Sequence, residues 1–246
     1  MKIAVVGASG FIGSRLVRKL RPEGHEVTTH DRSTGVDLLT GEGVPEALAG
    51  ADTVVNTINA PGFDEPAVPF FRTTTETLLN AADQAGGGNV VLLSIVGIDQ
   101  VPDVAYYRAK LEQERLLEAG PVPYTIVRAA QFMDFIEPIT SWTSSGDTVR
   151  LPTTRLQPVA VEDLVDTLAE AATAPPRDGI VNIGGPDVFP LDELGRLTLR
   201  AHPDGREVTV DENAGLFGQV PQDAFIAPPG ARLGTMSYER RLQHYA

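Results

Sequence analysis

The first two-thirds of the chain alternate short apolar runs with amphipathic stretches. The apolar runs predict strands at residues 2–6, 26–30, 35–38, 53–56, 89–94 and 124–129. The stretches between them carry apolar residues at helical spacing and predict helices at 11–20, 44–48, 68–84 and 106–119. This alternation predicts an α/β fold with a doubly wound parallel sheet and right-handed crossovers.

The pattern becomes irregular after Ala130. Short strands are predicted at 148–151, 156–158 and 179–183, with one amphipathic helix at 161–174. The remainder has the pattern of short elements and Pro/Gly-rich turns. We therefore expect a dinucleotide-binding core of residues 1–130 plus 159–175, with 131–158 plus 176–246 forming a small C-terminal substrate-binding lid on one continuous globule.

The first predicted strand runs directly into Gly7-Ala8-Ser9-Gly10-Phe11-Ile12-Gly13 and then into a helical pattern. A strand, a tight glycine turn and a helix N-terminus in this order make a site for a dinucleotide pyrophosphate. Gly7 would form the turn, Gly10 would admit the phosphates, and Gly13 would let the helix pack on the strand. The N–H groups around Ser9, Phe11 and Ile12 would face the anion.

Three further side chains are candidate catalytic residues. Ser94 ends a predicted strand, and parallel sheets bind ligands at the carboxyl ends of their strands. Tyr106 and Lys110 are four residues apart and share one helix face. Beside a nicotinamide, Tyr106 would act as general acid/base, Lys110 would lower the tyrosine pKa and hold the ribose, and Ser94 would bond the substrate oxygen. Alternatively, Tyr106 and Lys110 only cap and solvate a surface helix.

The end of the second predicted strand bears on the choice of dinucleotide. Asp31 can bond both ribose hydroxyls of NAD, whereas Arg32 can hold the 2′-phosphate of NADP. We write NAD or NADP, with a slight lean to NAD from Asp31. Two further pairs are expected at the cofactor. Asp37 and Leu38 would lie near the adenine, and Thr57 and Asn59 near the pyrophosphate and the nicotinamide-side ribose.

Composition and net charge exclude several classes of binding partner and of reactive site. The 246 residues are 42% hydrophobic and 22% charged, with a formal net charge of -13, which disfavours nucleic acid and anionic membranes as partners. Because the chain has no cysteine, disulfides, zinc–thiolate sites and cysteine nucleophiles are excluded. The four histidines lack metal-ligand spacing. With a strand pattern at the start and no apolar run of membrane length, we expect a cytoplasmic monomer or homodimer.

Taken together, the motifs resemble those of atypical short-chain dehydrogenases/reductases of the NmrA-like, NAD(P)H-binding kind. The resemblance rests on the glycine turn, on Leu93-Ser94 and on Tyr106-Tyr107-Arg108-Ala109-Lys110. It continues through residues 123–129 and 157–163 and ends near 234–239, where the motif is weak. It implies a Rossmann fold, a nicotinamide cofactor and a substrate cleft between the sheet and the C-terminal segments. NmrA-like sensors typically lack the tyrosine, so Tyr106 favours an enzyme.

Large apolar side chains follow the predicted strand at 124–129. Together with one amide they suggest a small hydrophobic or aromatic substrate, unless they simply form core. The candidate substrate-binding residues are Gln131, Phe132, Phe135 and Trp142. Arg128 is expected to be structural and to pair with an acidic group such as Asp163.

The most direct interpretation is an NAD(P)-dependent oxidoreductase of the short-chain type. Hydride would pass between the nicotinamide and a hydrophobic carbonyl, quinone or alcohol, with Tyr106 as the acid/base. Two alternatives stay open on the same scaffold. One is a dinucleotide-binding redox sensor without turnover, and the other is a non-redox lyase, cyclase or epimerase.

Overall fold

The computed structural model describes residues 1–62, 65–86, 88–101 and 103–244. The chain forms two compact units. Unit 1 comprises Met1–Ser94, Pro102–Arg128 and Val165–Val181. Unit 2 comprises Ile95–Val101, Ala129–Leu164 and Asn182–Ala246. In the part of the chain that the structure describes, every helix is too short or too polar to span a bilayer.

Regular elements alternate as strand and helix from Lys2 to Ala129. The strands are β1 (Lys2–Val6), β2 (Glu26–His30), β3 (Thr53–Asn56), β4 (Asn89–Ile95) and β5 (Tyr124–Ala129). The helices are α1 (Gly13–Leu20), α2 (Val44–Leu48), α3 (Ala67–Gln84) and α4 (Ala105–Ala119).

The later elements are shorter. The helices are α5 (Ile136–Trp142), α6 (Val161–Thr173), α7 (Leu191–Ala201) and α8 (Tyr238–His244). The strands are β6 (Ser144–Ser145), β7 (Thr148–Leu151), β8 (Arg155–Leu156), β9 (Gly179–Gly184), β10 (Phe189–Pro190), β11 (Glu207–Val210) and β12 (Arg232–Leu233).

A seven-stranded sheet in the order β12-β9-β5-β4-β3-β1-β2 confirms the predicted α/β fold of Rossmann type. The pairs of β1 with β2, β1 with β3, and β3 with β4 all run parallel. The order reverses at β1, where neighbouring strands connect in opposite directions. Such a reversal opens a crevice at the carboxyl ends of the strands, which here lies beside the glycine turn.

The first strand–helix unit shows why the sequence folds as it does. β1 is a β-branched run whose residues from Ile3 to Val6 are all buried. α1 buries Leu16, Val17 and Leu20 on one face and ends on basic residues, which suit the negative end of the helix dipole. The larger core of unit 1 packs such side chains from β1, β3, β4, α2, α3 and α4 around Leu78, Leu92 and Ile126.

Residues 35–38 form a loop, and the strand predicted there is wrong. Asp31 caps a short 3-10 turn at Arg32–Thr34, and Gly35 ends that turn with φ of 81°. Asp37 then accepts the Leu39 N–H at 2.7 Å. These local side-chain bonds to the backbone compete with sheet pairing and fix a turn instead.

α7 is an 11-residue helix that lies within the segment expected to hold only short elements and turns. Its buried residues include Leu191, Leu194 and Thr198, which share one face. Its Thr198 hydroxyl bonds the Tyr238 hydroxyl of α8 at 2.7 Å. β11 was also missed: it is a four-residue, mostly exposed Glu-Val-Thr-Val run that pairs in parallel with β7.

The turn between β1 and α1 is tightly packed. A Cβ added at Gly13 would lie 2.3 Å from the Gly7 carbonyl oxygen and 2.8 Å from the Thr57 hydroxyl oxygen. Real Cβ atoms do not approach so closely, so any side chain at residue 13 must push α1 away from the strand ends. The role predicted for Gly13 in close helix–strand packing is therefore confirmed.

We expect Gly13→Ala to lower the free energy of unfolding by about 1–3 kcal/mol, since the added methyl group overpacks the turn. Gly179→Ala is the matched control, because the nearest atom to its added Cβ is 3.7 Å away. That control should change stability by no more than about 0.5 kcal/mol. Urea unfolding of both variants measures the difference, and equal stabilities would contradict the packing argument.

Candidate functional site

The glycine turn lies at the carboxyl ends of β1, β2 and β3. Gly7 has φ of +82°, a conformation that L side chains rarely adopt, and its N–H donates to the His30 carbonyl at 2.9 Å. The Thr57 hydroxyl, which follows β3, donates to the Val6 carbonyl at 2.9 Å. The turn predicted at Gly7 is therefore confirmed, and three strand ends are tied together around it.

These residues fit the pyrophosphate of a dinucleotide. Gly10 donates its N–H to the Gly7 carbonyl at 3.0 Å, and α1 begins at Gly13. Ser9, Phe11 and Ile12 thus precede the first turn of the helix, where the dipole favours an anion. At Gly7 and Gly13 an added Cβ would press on atoms of the turn or of Thr57, so both glycines are needed for the packing of the turn. Phosphate contacts by these residues stay a prediction.

Asp31 stands at the end of β2 with its carboxylate held in place. It accepts the Ser33 N–H at 2.8 Å and also the Ser33 hydroxyl. The Ser33 hydrogen bond is the main cause that lowers the Asp31 pKa, so the group is a carboxylate at neutral pH. A fixed carboxylate suits ribose hydroxyls and repels a 2′-phosphate. Arg32 is exposed in the adjoining 3-10 turn.

The two residues expected near the adenine have different surroundings. Leu38 is buried and belongs to the hydrophobic core of unit 1. Asp37 is only partly buried and uses its carboxylate on the neighbouring backbone. Of the two, Asp37 is the one with a solvent-facing surface, and adenine contact by either residue stays a prediction.

Tyr106 and Asn59 meet, although 47 residues separate them. The Tyr106 hydroxyl donates to Asn59 Oδ1 at 2.7 Å, and the Ala60 N–H donates to the same oxygen at 3.0 Å. Tyr106 also packs edge-on against the Phe71 ring of α3, with centroids 5.9 Å apart. Asn59 lies just after β3, so the tyrosine hydroxyl is brought to the carboxyl end of that strand.

Lys110 lies one turn after Tyr106 on α4 and is buried. Its ammonium donates to the Leu93 carbonyl at 2.8 Å and to Gln113 Oε1 at 2.6 Å. Its Nζ also sits 5.0 Å from the Phe71 ring centroid. Leu93 immediately precedes Ser94, so α4 is anchored at the end of β4. The prediction of a solvated surface position is therefore wrong for Lys110.

Burial shifts the pKa values of both residues. It raises the pKa of Tyr106 to about 12, only partly offset by the hydrogen bond to Asn59. This direction is opposite to the lowering predicted from Lys110, because the ammonium is turned to Leu93 and Gln113. Burial lowers the pKa of Lys110 to about 7, although the nearby Glu114 carboxylate raises it. Tyr106 is therefore a protonated hydrogen-bond donor at neutral pH.

Ser94 is buried at the end of β4. Its hydroxyl oxygen has no hydrogen-bond partner among the described residues. A buried hydroxyl without a partner costs free energy, and such groups in native structures often belong to a functional site. This fits a serine that bonds a ligand oxygen, and that role stays a prediction.

Arg128 pairs with Glu114, an acidic group as expected, and a contact between Arg128 and Asp163 stays a prediction. The Arg128 guanidinium contacts both Glu114 carboxylate oxygens, with Nε to Oε1 at 2.9 Å and Nη2 to Oε2 at 2.5 Å. Asp163 accepts the Thr235 N–H at 3.0 Å and the Thr235 hydroxyl at 3.1 Å. A buried carboxylate on α4 requires such a bidentate partner.

The candidate substrate-binding residues all lie in unit 2. Phe132 and Phe135 are half-buried, with ring centroids 5.8 Å apart. Gln131 is half-buried, and its carbonyl accepts the Val159 N–H at 2.9 Å. Trp142, the last residue of α5, is 65% exposed. None of the four is fully buried core, and their contact with a substrate stays a prediction.

Gln113 was not predicted from the sequence as a residue of the site. It is fully buried on α4, and its Nε2 donates to the Thr75 hydroxyl of α3 at 3.0 Å. The signal was its place three residues after Lys110, on the stripe that also carries Ala109 and Leu117 toward the core. A polar residue on a buried stripe needs a partner there.

The chain is similar to several known proteins. An isoflavone reductase homolog from Nicotiana glauca is 27% identical over 165 residues, covering 56% of this chain and 50% of that protein. The chain thus spans about half the length of the curated relatives it matches. dTDP-4-dehydrorhamnose reductase from Bacillus anthracis str. Ames, solved with NADP, has a TM-score of 0.77 at 15% identity, covering 99% of this chain and 98% of that chain.

A second solved structure is MoeE5 in complex with UDP-glucuronic acid and NAD. It has a TM-score of 0.71 at 24% identity, covering 99% of this chain and 92% of that chain. At these identities both structures support the fold alone. The sequence model of the NAD(P)H-binding family matches residues 7–175, from the glycine turn to the end of α6. With a match over more than half of its length, the chain belongs to the NAD(P)H-binding family.

Proposed function

We propose that this protein is an NAD(P)-dependent reductase or dehydrogenase of the short-chain type, with Tyr106 as its acid/base. The observation that carries the proposal is the meeting of Tyr106 and Asn59 at the strand ends, through a hydrogen bond of 2.7 Å. Asn59 follows the same strand as Thr57, which closes the glycine turn. The candidate proton donor and the candidate pyrophosphate site thus share one edge of unit 1.

Each residue has a defined task in this proposal. Tyr106, protonated at neutral pH because burial raises its pKa to about 12, donates its proton to a carbonyl oxygen. Asn59 orients the Tyr106 hydroxyl, and the unpartnered Ser94 hydroxyl supplies a second hydrogen bond to the same oxygen. Lys110 adds positive charge behind the strand end. The bound nicotinamide supplies or accepts the hydride.

The proposed substrate is a small to medium hydrophobic carbonyl, quinone or alcohol. The residues that support this choice are the half-buried Phe132 and Phe135 and the exposed Trp142. Gln131 contributes one amide among these rings. The isoflavone reductase homolog is also named for an aromatic compound. The proposed substrate is therefore apolar with one reacting oxygen.

A second candidate function is dinucleotide binding without turnover. The observation that favours it is the burial of Lys110, whose ammonium donates to Leu93 and Gln113. A lysine committed to two protein acceptors does less to lower the pKa of a tyrosine. Such a protein would bind NADH or NADPH tightly and would report the redox state to a partner.

Tyr106→Phe separates these two functions. In the reductase, removing the proton donor should lower the rate about 10²–10⁴-fold while NADH binding stays unchanged. The measurement is NADH and NADPH oxidation against a panel of quinones, ketones and aldehydes, with binding followed by NADH fluorescence. Tyr107→Phe is the matched control and should keep the rate within a few-fold. Turnover by wild type that survives in Tyr106→Phe would refute the acid/base role.

Asp31→Ser tests the choice of dinucleotide. Removing a carboxylate that repels a 2′-phosphate should improve NADPH binding relative to NADH about tenfold, or about 1.4 kcal/mol. Glu26→Gln removes one negative charge at the opposite end of β2 and should leave the ratio unchanged. Dissociation constants for both dinucleotides give the answer. A ratio that moves equally in both variants would mean that only net charge matters.

The lowered pKa of Lys110 predicts that the free energy of unfolding depends on pH. Its pKa of about 7 in the folded protein lies below the ordinary 10.5, so between these values only the unfolded chain holds the proton. Stability relative to Lys110→Met should therefore rise with pH through this window, by at most about 1.4 kcal/mol per pH unit. Below the window both states are charged, and the burial cost is fully present.

The control for this stability measurement is Lys19→Met. Lys19 is a surface residue whose pKa is raised by Asp166, so its titration lies above the same window. Urea unfolding at pH 6, 7, 8 and 9 should show a pH-dependent difference for Lys110→Met alone. A flat difference for both variants would mean that Lys110 keeps its proton in the folded protein.

A further inference from the structure

Lys110 and Gln113 form the centre of a hydrogen-bond chain that joins three elements of unit 1. The Lys110 ammonium donates to the Leu93 carbonyl on β4 and to Gln113 Oε1, and Gln113 Nε2 donates to the Thr75 hydroxyl on α3. Lys110 is 4% exposed and Gln113 is 0% exposed. No water is therefore available to replace either contact at low cost.

The chemistry of the donors fixes the orientation of the amide. An ammonium group can only donate, so the oxygen of Gln113 must face Lys110. The amide nitrogen is then turned to Thr75, where the hydroxyl oxygen accepts it. A flipped amide would set its NH₂ group against the ammonium and lose that bond, although the Thr75 hydroxyl could still donate to the amide oxygen. Thr75 thus holds Gln113, and Gln113 holds Lys110.

We propose that Gln113 is a positioning residue that holds the Lys110 amino group at the carboxyl end of β4 and favours its charged form. This inference rests on the proposed function for the use of that charge, because Leu93 directly precedes the candidate substrate-binding Ser94. Its physical basis is separate, since a buried ammonium is stable only with acceptors in place.

The other groups around Lys110 determine what a pH experiment will report. On α4, Glu114 lies close enough to raise the lysine pKa, and its carboxylate is shared with Arg128 of β5. From α3, the neutral Phe71 ring faces the ammonium. Tyr106, one turn away, stays protonated because burial raises its pKa. Gln113 supplies a neutral acceptor. Its replacement by Met therefore changes the surroundings of Lys110 without adding or removing a charge.

The experiment is an NMR titration of lysine side chains in the full chain. The sequence contains three lysines, Lys2, Lys19 and Lys110, so ¹³Cε-labelled lysine gives three signals. Gln113→Met, which removes the acceptor, should lower the Lys110 midpoint by about one pH unit. Gln113→Glu, which supplies a carboxylate, should raise it by at least as much. Lys2 and Lys19 serve as internal references that should not move.

Three further variants separate positioning from general damage. Gln157→Met removes a similarly buried amide in unit 2, which donates to the Gly185 carbonyl at 2.8 Å, and should leave the Lys110 midpoint unchanged. If Gln113→Met does not fold, Thr75→Val releases the amide and should give a smaller downward change, while Thr75→Ser should restore the wild-type midpoint.

Opposite changes in the Met and Glu variants support the inference. A midpoint that stays fixed, or moves in one direction in both, overturns it. Kinetics on the same variants report separately on the proposed function. If turnover follows the shifted midpoint, Lys110 acts in the reaction. If the NMR midpoint moves and no variant or wild type turns over any substrate, the reductase proposal fails while the role of Gln113 stands.

Discussion

The buried ammonium of Lys110 is the interaction on which the site in unit 1 depends. A charge taken out of water is costly unless acceptors surround it, and here they come from β4 and α4, with α3 behind them. Meeting that requirement brings α4 to the end of β4 and sets its rotation about its axis. Tyr106, one turn earlier on α4, is thereby directed toward Asn59.

A second buried charge pair lies beside the first. Glu114 and Arg128 join α4 to β5, and the carboxylate is almost completely buried. α4 therefore buries a polar stripe formed by Lys110, Gln113 and Glu114. This stripe fixes α4 more specifically than apolar packing would, because each polar group accepts only particular partners.

The glycine turn imposes the other constraint, which is steric. Gly7 needs a left-handed backbone and Gly13 needs the absence of a Cβ, and together they let α1 begin close to the strand ends. The family match begins at this turn and extends through α6, so it includes the whole polar stripe of α4. The glycine turn and the candidate proton donor thus both lie in the region that the family model matches.

Sequence alone determined the features that depend on local patterns. The strands β1, β2, β3 and β5 and the helix α2 have the predicted bounds, because each is a short run with clear breakers beside it. The glycine turn was also predicted from the sequence, because the spacing of its glycines has a steric cause. The strand predicted at residues 35–38 was wrong. The two apolar residues there pack in the core from a loop, whose shape is fixed by hydrogen bonds from the backbone to the side chains of Asp31 and Asp37.

Tertiary structure alone decided which contacts the candidate site residues make and how their pKa values shift. Sequence spacing placed Tyr106 and Lys110 on one helix face, but which partners they meet depends on residues 17 to 47 positions away. The raised pKa of Tyr106, the partners of Lys110 and the pairing of Arg128 with Glu114 all follow from burial. Burial is a property of the packed chain, so no local pattern contains it.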